Sequence, residues 1–338
     1  MTAGSALTPF DFERRQVGPK DVLVDISYAG ICHSDIHQVR EEWGPSIFPM
    51  VPGHEIVGTV ARVGAETSKY RVGDLVGVGV FVNSCRECKN CLAGNEHFCL
   101  TGFIPTYNGY EYDRSTPTYG GYAKAIVVDE RYVLRIPENL PLSGVAPLLC
   151  AGITLYSPLK HWQAGPGRRV GIIGLGGLGH MGVKLAHAFG AEVTVFSHSP
   201  SKESDARRLG ADHFVLASDE ETFKKARNTY DLIISTVSAD IDMNPYLRLL
   251  GLDATLAVIG LPGKPVAIDV DNLLFQRRRV SGSMIGSIAE TQEMLEFCSG
   301  HNIVSDVEVI SGHEINTAYE RTIRSDVKYR FVIDASTF

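Results

Sequence analysis

Short apolar runs broken by glycine, proline and acidic residues dominate the chain from about residue 21 to 137. Val22-Leu-Val-Asp-Ile26 and Ala125-Ile-Val-Val128 have strand length, while Arg71-Val-Gly-Asp-Leu75 and Val51-Pro-Gly-His54 carry turn chemistry. Glycines at 53, 58, 64, 73, 77 and 79 fit a strongly curved, barrel-like sheet. The pattern changes near residue 145. Strands expected at Val170–Ile173, Glu192–Phe196, Phe214–Val215, Asp231–Ser235, Thr255–Ile259 and Val280–Gly282 alternate with helical stretches, among them Gly177–Gly190 and Ser201–Leu209. Such alternation with short connections predicts an α/β region with a doubly wound parallel sheet covered on both faces. Glu290–Ser299 reads as a helix, and the residues after it return to mixed structure expected to rejoin the first domain. The expected division is therefore 1–146, 147–286 and a return over 287–338.

Composition changes this picture little. A chain of 338 residues suits two domains, and 44% hydrophobic with 21% charged residues is ordinary for a globular protein. A formal net charge of −7 gives no basic footprint for nucleic acid or an anionic membrane. No apolar run approaches the roughly 18 residues of a spanning helix. The opening Met1-Thr-Ala-Gly-Ser-Ala6 lacks the basic-then-apolar layout of a signal peptide, so the expected location is cytoplasmic.

The first chemical motif follows the strand at Val170. Gly174-Leu175-Gly176-Gly177-Leu178-Gly179 stands between a strand and an amphipathic helix, the context of a dinucleotide-binding turn. Gly174 permits the tight turn, Gly176 admits the pyrophosphate and Gly179 allows close helix packing; the helix N-terminus then faces the phosphates. The next strand ends in Ser197-His198-Ser199-Pro200-Ser201-Lys202, where an NAD enzyme usually places an acid for the ribose 2′-hydroxyl. Here the first acid is Glu203. Hydroxyls, His198 and Lys202 suit a 2′-phosphate that a carboxylate would repel, so the expected cofactor is NADP(H). A solvated serine-containing loop is the plainer alternative.

Four of the seven cysteines, Cys85, Cys88, Cys91 and Cys99, fall in one short segment. Four thiolates close a tetrahedral zinc shell with no open position, the mark of a structural site. An iron–sulfur cluster fits less well, since the last gap is longer than in the ferredoxin run and no proline follows. Cys32, His54 with Glu55, and Cys150 are dispersed. A Cys/His/Cys set would leave zinc an open position for chemistry, but each residue alone reads as an ordinary buried one, and spacing does not single them out.

The motifs taken together resemble the zinc-containing medium-chain alcohol dehydrogenases, in particular the cinnamyl-alcohol-dehydrogenase-like branch with its bacterial broad-range aldehyde reductases. Those motifs are Gly30-Ile-Cys-His-Ser-Asp35, Phe48-Pro-Met-Val-Pro-Gly-His-Glu-Ile-Val-Gly58, the four-cysteine lobe and Ala146-Pro-Leu-Leu-Cys-Ala-Gly-Ile-Thr154. The glycine turn, Gly282-Ser-Met-Ile-Gly-Ser287 and Asp326-Val-Lys-Tyr-Arg-Phe-Val-Ile-Asp334 complete the set. The resemblance implies a GroES-like β-barrel domain with a Rossmann domain, two zinc ions per chain and NADP(H). It implies that Cys32, His54 and Cys150 hold the catalytic zinc, with Glu55 beside it as an alternative ligand. Ser34 and His37 would form the proton relay, and Asp35 would orient His54. His33 and Arg330 would contact cofactor phosphates, with Thr154 and Ile285 also at the cofactor. Trp43 and Tyr119, with Ile285, would line the substrate pocket.

Two features depart from the family pattern: the short strand that usually opens such chains is shortened or missing before Leu7, and Cys298 matches no ligand position and is expected buried in a helix. The function implied is interconversion of primary alcohols and aldehydes, with reduction of aromatic or medium aliphatic aldehydes as the working direction, by a homodimer with a small-molecule substrate. A zinc-free quinone reductase would lack both cysteine sets, and a non-enzymatic scaffold would have lost part of the relay or metal set.

Overall fold

The computed structural model describes residues 2–338; Met1, the first residue of the segment read for a leader, lies outside the described residues. One compact unit runs to Ile153 and resumes over Ile285–Phe338, and the other is Thr154–Met284.

The first unit is built on the strand Asp21–Gly30, whose Val22, Val24 and Ile26 alternate into the core. It pairs antiparallel with Ile56–Val63, Ala125–Asp129 and Arg330–Asp334. Leu75–Val78, Val133–Arg135 and Val307–Ser311 complete a seven-stranded sheet, in which the last pairs parallel with Arg330–Asp334. Register shifts between Leu23 and Val24 and between Ile26 and Tyr28 bend the central strand, which supplies the curvature expected from the sequence. At Gly58 a Cβ would stand 2.0 Å from the Asp25 carbonyl oxygen, so only glycine lets these strands approach.

No strand occurs among residues 2–20. Instead Asn316, on the helix Ile315–Ile323, exchanges two 2.9 Å hydrogen bonds with the Leu7 backbone. The Arg14 guanidinium donates to the carbonyls of Tyr119, Gly120 and Ala125. The N-terminal segment is thus held largely by side chains, with one backbone bond from Gly4 N to Val39 O (3.0 Å), and the ends of the main strand path are Val307–Ser311 and Val133–Arg135. Cys298 is fully buried on the helix Ile288–His301.

The second unit is a six-stranded parallel sheet in the order His213–Leu216, Glu192–Ser197, Arg169–Ile173, Tyr230–Ser235, Leu250–Val258, Arg279–Gly282. This is the doubly wound order, with its switch point beside the first strand. Val170, Ile172, Val193, Val195, Leu232, Ile233 and Ile234 are all buried, as a sheet covered on both faces requires. The glycine helix is Gly179–Ala188, shorter than expected. The helix expected from Ser201 begins at Glu203, because Pro200 opens a separate 3-10 turn, and it stops at Gly210 with φ 111°. The helix Ala151–His161 carried no sequence signal, since Pro158 sits inside it. Among the described residues, no single helix is long and apolar enough to cross a membrane.

Candidate active site

Three loops of the first unit converge at the end of the central strand. Cys32 caps the short helix His33–Val39 and lies just past Gly30; His54 and Glu55 immediately precede the strand Ile56–Val63; Cys150 follows the 3-10 turn Ala146–Leu149. The Cys32 and Cys150 sulfurs are 4.0 Å apart, and one donor atom from each of Cys32, His54, Glu55 and Cys150 lies within 4.8 Å of the others. With zinc–sulfur and zinc–nitrogen bonds of about 2.0–2.3 Å, that spacing fits one ion at the centre of the set. A further observation points the same way: Glu55 Oε2 is fully buried with no hydrogen-bond partner. An orphaned carboxylate oxygen beside two thiols and an imidazole is a cost unless a cation answers it.

Asp35 fixes the imidazole. Its carboxylate is wholly buried and lies 3.0 Å from His54 Nδ1, leaving Nε2 to face the Cys32 sulfur. Gly53 N (3.2 Å) and Tyr122 OH (3.1 Å) donate to Asp35 as well. Tyr107 stacks on His54 with ring centroids 5.8 Å apart. Electrostatics matches a cation site. The neighbouring Cys150 thiol holds Cys32 well below the usual thiol range against the opposing effect of burial, with His54 and Arg330 assisting; Cys150 is correspondingly pushed up. Burial pulls His54 down, but Asp35 overrides it and raises the imidazole well above its usual value. A metal ion would displace that proton.

Arg330, which the resemblance assigns to a cofactor-phosphate contact, is the buried partner of Glu55. It is buried at 5% exposure, donating to Glu55 Oε1 and to the Ile31 carbonyl at 2.7 Å. It opens the strand that pairs with the Gly30 strand, and the buried Glu55 carboxylate needs a counter-charge there. Burial pushes Glu55 up to about 7, with Arg330 opposing. Gly30 makes this possible: a Cβ there would stand 1.9 Å from Glu55 Oε2.

Of the other residues in this unit, Ser34 Oγ lies 3.5 Å from the Cys32 sulfur. His37 is bonded through Nδ1 to Glu42 and stacks on Trp43 at 4.7 Å, so the imidazole expected in a relay with Ser34 is engaged by a carboxylate. Trp43 is 43% exposed and His33 is exposed. Tyr119, expected in the substrate pocket, is packed edge-on against Phe12 at 4.7 Å and Phe10 at 6.1 Å, because the strandless N-terminal segment brings those rings onto it. Ile285 is buried with φ 40°, a strained setting for a β-branched residue. Tyr107, Tyr122 and the Arg330–Glu55 pair were invisible to sequence reasoning; the Gly120-Gly121-Tyr122 run was the one available hint.

The second cysteine group is equally compact: a sulfur from each of Cys85, Cys88, Cys91 and Cys99 lies within 4.8 Å of the rest. Cys85 N donates to the Cys99 sulfur (3.5 Å), Cys88 N to that of Cys85 (3.3 Å) and Leu100 N to that of Cys88 (3.5 Å). Amides aimed at sulfur favour thiolates. The amides of Leu100 and Cys91 pull Cys88 down to about 6, whereas burial pushes Cys91 up to about 11. Four such thiols suit a shared ion with no open position.

In the second unit, Gly174 has φ 91°, and a Cβ on Gly179 would stand 2.1 Å from the Gly174 carbonyl oxygen. Gly176 faces open space, Leu175 is buried, and Gly177 and Leu178 are half-buried. The turn therefore leaves its backbone accessible at the N-terminus of Gly179–Ala188. Ser197 ends its strand with Oγ accepting from Ser199 N at 3.2 Å, while His198 and Ser199 are exposed and Lys202 is half-buried. Thr154 is buried.

Residues 18–138 match the alcohol dehydrogenase GroES-like domain and residues 177–300 the zinc-binding dehydrogenase domain. The chain is 58% identical over 337 residues to NADP-dependent alcohol dehydrogenase C 1 of Mycolicibacterium smegmatis, covering 99% of this chain and 96% of that one. It is 52% identical over 341 residues to aldehyde reductase YahK of Escherichia coli, covering 99% and 97%. The structure of a cinnamyl alcohol dehydrogenase (CAD) from Helicobacter pylori complexed with NADP(H) superposes with a TM-score of 0.92 at 45% identity, covering 99% and 96%. With two compact cysteine-containing donor sets, a glycine turn on a doubly wound sheet and full-length relatives of this identity, the chain belongs to the zinc-containing medium-chain alcohol dehydrogenases.

Proposed function

We propose that the protein is an NADP(H)-dependent, zinc-containing alcohol dehydrogenase that works chiefly as a reductase of aromatic or medium aliphatic aldehydes. The observation that carries the reading is the buried Cys32, His54, Glu55, Cys150 group with its orphaned carboxylate oxygen. When bound there, zinc supplies Lewis acidity toward a carbonyl, and the nicotinamide supplies hydride.

The chain's own residues do the rest. Cys32, His54 and Cys150 hold the ion, and Asp35 keeps the His54 ring in place. Glu55, pinned through Oε1 by Arg330, stands by with Oε2. The Ser34 hydroxyl, 3.5 Å from the Cys32 sulfur, would give a proton to the product oxygen, and His37, bonded to Glu42, would resupply it; the proximity of Ser34 to Cys32 supports this reading. Trp43, stacked on His37, and Tyr107, stacked on His54, give the substrate aromatic neighbours. Cys85, Cys88, Cys91 and Cys99 hold a second, structural zinc. Gly174–Gly179 receives the pyrophosphate, and Ser197, His198, Ser199 and Lys202 the 2′-phosphate, with no acid to repel it before Glu203.

A homodimer joined through the second unit fits its surface: the edge strand Arg279–Gly282 exposes Val280, and Leu274 and Phe275 are 68% and 78% exposed. Seven free thiols, six of them in the two donor sets, suit a reducing cytoplasm.

A panel of aldehydes run with NADPH and NADH in parallel tests the reading. It expects aromatic aldehydes to turn over with NADPH preferred, and Cys150→Ser to abolish turnover. Preference for NADH refutes the Ser197 argument. Full activity in Cys150→Ser refutes the metal assignment.

A further inference from the structure

Asp35 is held by more than the residues it serves. Its two oxygens accept from Cys32 N at 2.9 Å, Gly53 N at 3.2 Å and Tyr122 OH at 3.1 Å, and one lies 3.0 Å from His54 Nδ1. Three of these donors belong to the ligand-bearing loops themselves. The hydroxyl of Tyr122 comes from a separate segment, laid against the His54 loop by backbone bonds from Gly120 N to Val51 O (2.7 Å), Gly121 N to Gly53 O (2.9 Å) and Tyr122 N to Pro52 O (3.0 Å). The fit is close, since a Cβ on Gly53 would stand 2.6 Å from the Tyr122 ring. Behind it, Tyr319 on the helix Ile315–Ile323 directs its hydroxyl at Tyr122 OH, 3.5 Å away, and all of these side chains are buried.

A carboxylate that bonds a metal-ligand imidazole orients it only as well as it is itself oriented. With these four donors in place, and the Tyr107 hydroxyl also directed at it, the Asp35 carboxylate has one setting. Without the Tyr122 hydroxyl, one oxygen loses its donor from the far side and the plane is free to rock about the bonds that remain. We propose that Tyr122 is a positioning residue: its hydroxyl, steadied by Tyr319, locks Asp35 against His54 and so sets how firmly the site retains zinc. The inference rests on the reading that Cys32, His54 and Cys150 hold a zinc ion.

The test is zinc release to a chromogenic chelator from the full-length, zinc-loaded protein, followed over time in wild type, Tyr122→Phe and Tyr319→Phe. The wild type should release zinc in two phases, and the phase that Cys150→Ser removes belongs to the Cys32 site. In Tyr122→Phe that phase should run about tenfold faster. Tyr319→Phe should speed the same phase by a smaller factor, with the four-cysteine phase unchanged in both. Should Tyr122→Phe fail to fold, Tyr319→Phe carries the test alone. Wild-type release in the folded variants overturns the inference, as does equal acceleration of both phases, which would mark general loosening. A wild-type chain holding zinc only in the four-cysteine lobe overturns the underlying reading of the Cys32 site and this inference with it.

Discussion

Replacing Arg330 with methionine removes the counter-charge of a carboxylate that has nowhere to go. Glu55 is 0% exposed, its Oε2 is unpartnered, and its Oε1 has Arg330 as its bond. The substitution also empties two hydrogen bonds from the guanidinium to the Ile31 carbonyl, at 2.7 and 3.2 Å. Removing one member of a buried ion pair costs about 3–5 kcal/mol. Glu55 already stands at about 7, so taking up a proton near neutral pH is cheap, and the expected cost is at the lower end, about 3 kcal/mol. Glu55→Gln alone should also destabilise, because it leaves Arg330 facing a neutral amide. The double variant should lose less than the two single losses added, with a coupling of at least about 1.5 kcal/mol. Urea unfolding followed by tryptophan fluorescence provides the assay, since Trp43 lies in the same compact unit as the pair. Single losses that add to within about 0.5 kcal/mol would refute the reasoning.

Other substitutions probe separate links. Gly30→Ala puts a Cβ 1.9 Å from Glu55 Oε2, and Arg330 blocks retreat, so a loss of about 1–3 kcal/mol is expected in the same urea assay; wild-type stability would show that the carboxylate has room. Ser197→Asp keeps an acceptor for Ser199 N but opposes a 2′-phosphate; kcat/KM with NADPH should fall at least about tenfold while that with NADH holds or rises, and unchanged NADPH kinetics would remove Ser197 from the cofactor site. Asp113 accepts from Thr116 Oγ1, Thr116 N and Ser115 N, which hold its carboxyl down to about 2. Because the folded value lies below the ordinary aspartate value of 3.8, the turn's contribution is complete above 3.8 and is lost as pH falls through about 2. A midpoint near 3.8 in a carboxyl NMR titration would contradict it. Val280→Asp charges the edge strand Arg279–Gly282 and should shift light scattering from dimer to monomer; an unchanged mass would place the interface elsewhere.

What could be read in the chain without its fold depends on how far apart the cooperating residues lie. The four-cysteine lobe and the glycine turn are each contained in one short segment, so spacing and local context already carry the chemistry. The six strands of the second unit were legible for a related reason: both faces are covered, so each strand is an apolar run; the helices were read less well, with Ala151–His161 missed and the start of another displaced by the 3-10 turn at Pro200. The Cys32 and Cys150 sulfurs meet across 118 positions, and nothing local distinguishes either from a buried small hydrophobe. Likeness to a family named that set and gave roles to Arg330 and Tyr119, but it did not foresee the partners these two have in the fold. Those partners have a tertiary origin. Arg330 is turned inward by a strand that pairs Gly30 with Val332, and Tyr119 is claimed by two phenylalanines of a segment that forms no strand. Tyr122 is the sharpest case, because a tyrosine after two glycines is unremarkable until the glycines let its ring lie on Gly53 and its hydroxyl reach Asp35. Residues that act through a neighbour's neighbour leave no periodicity and no spacing, so in a chain of this kind they are found only from the fold.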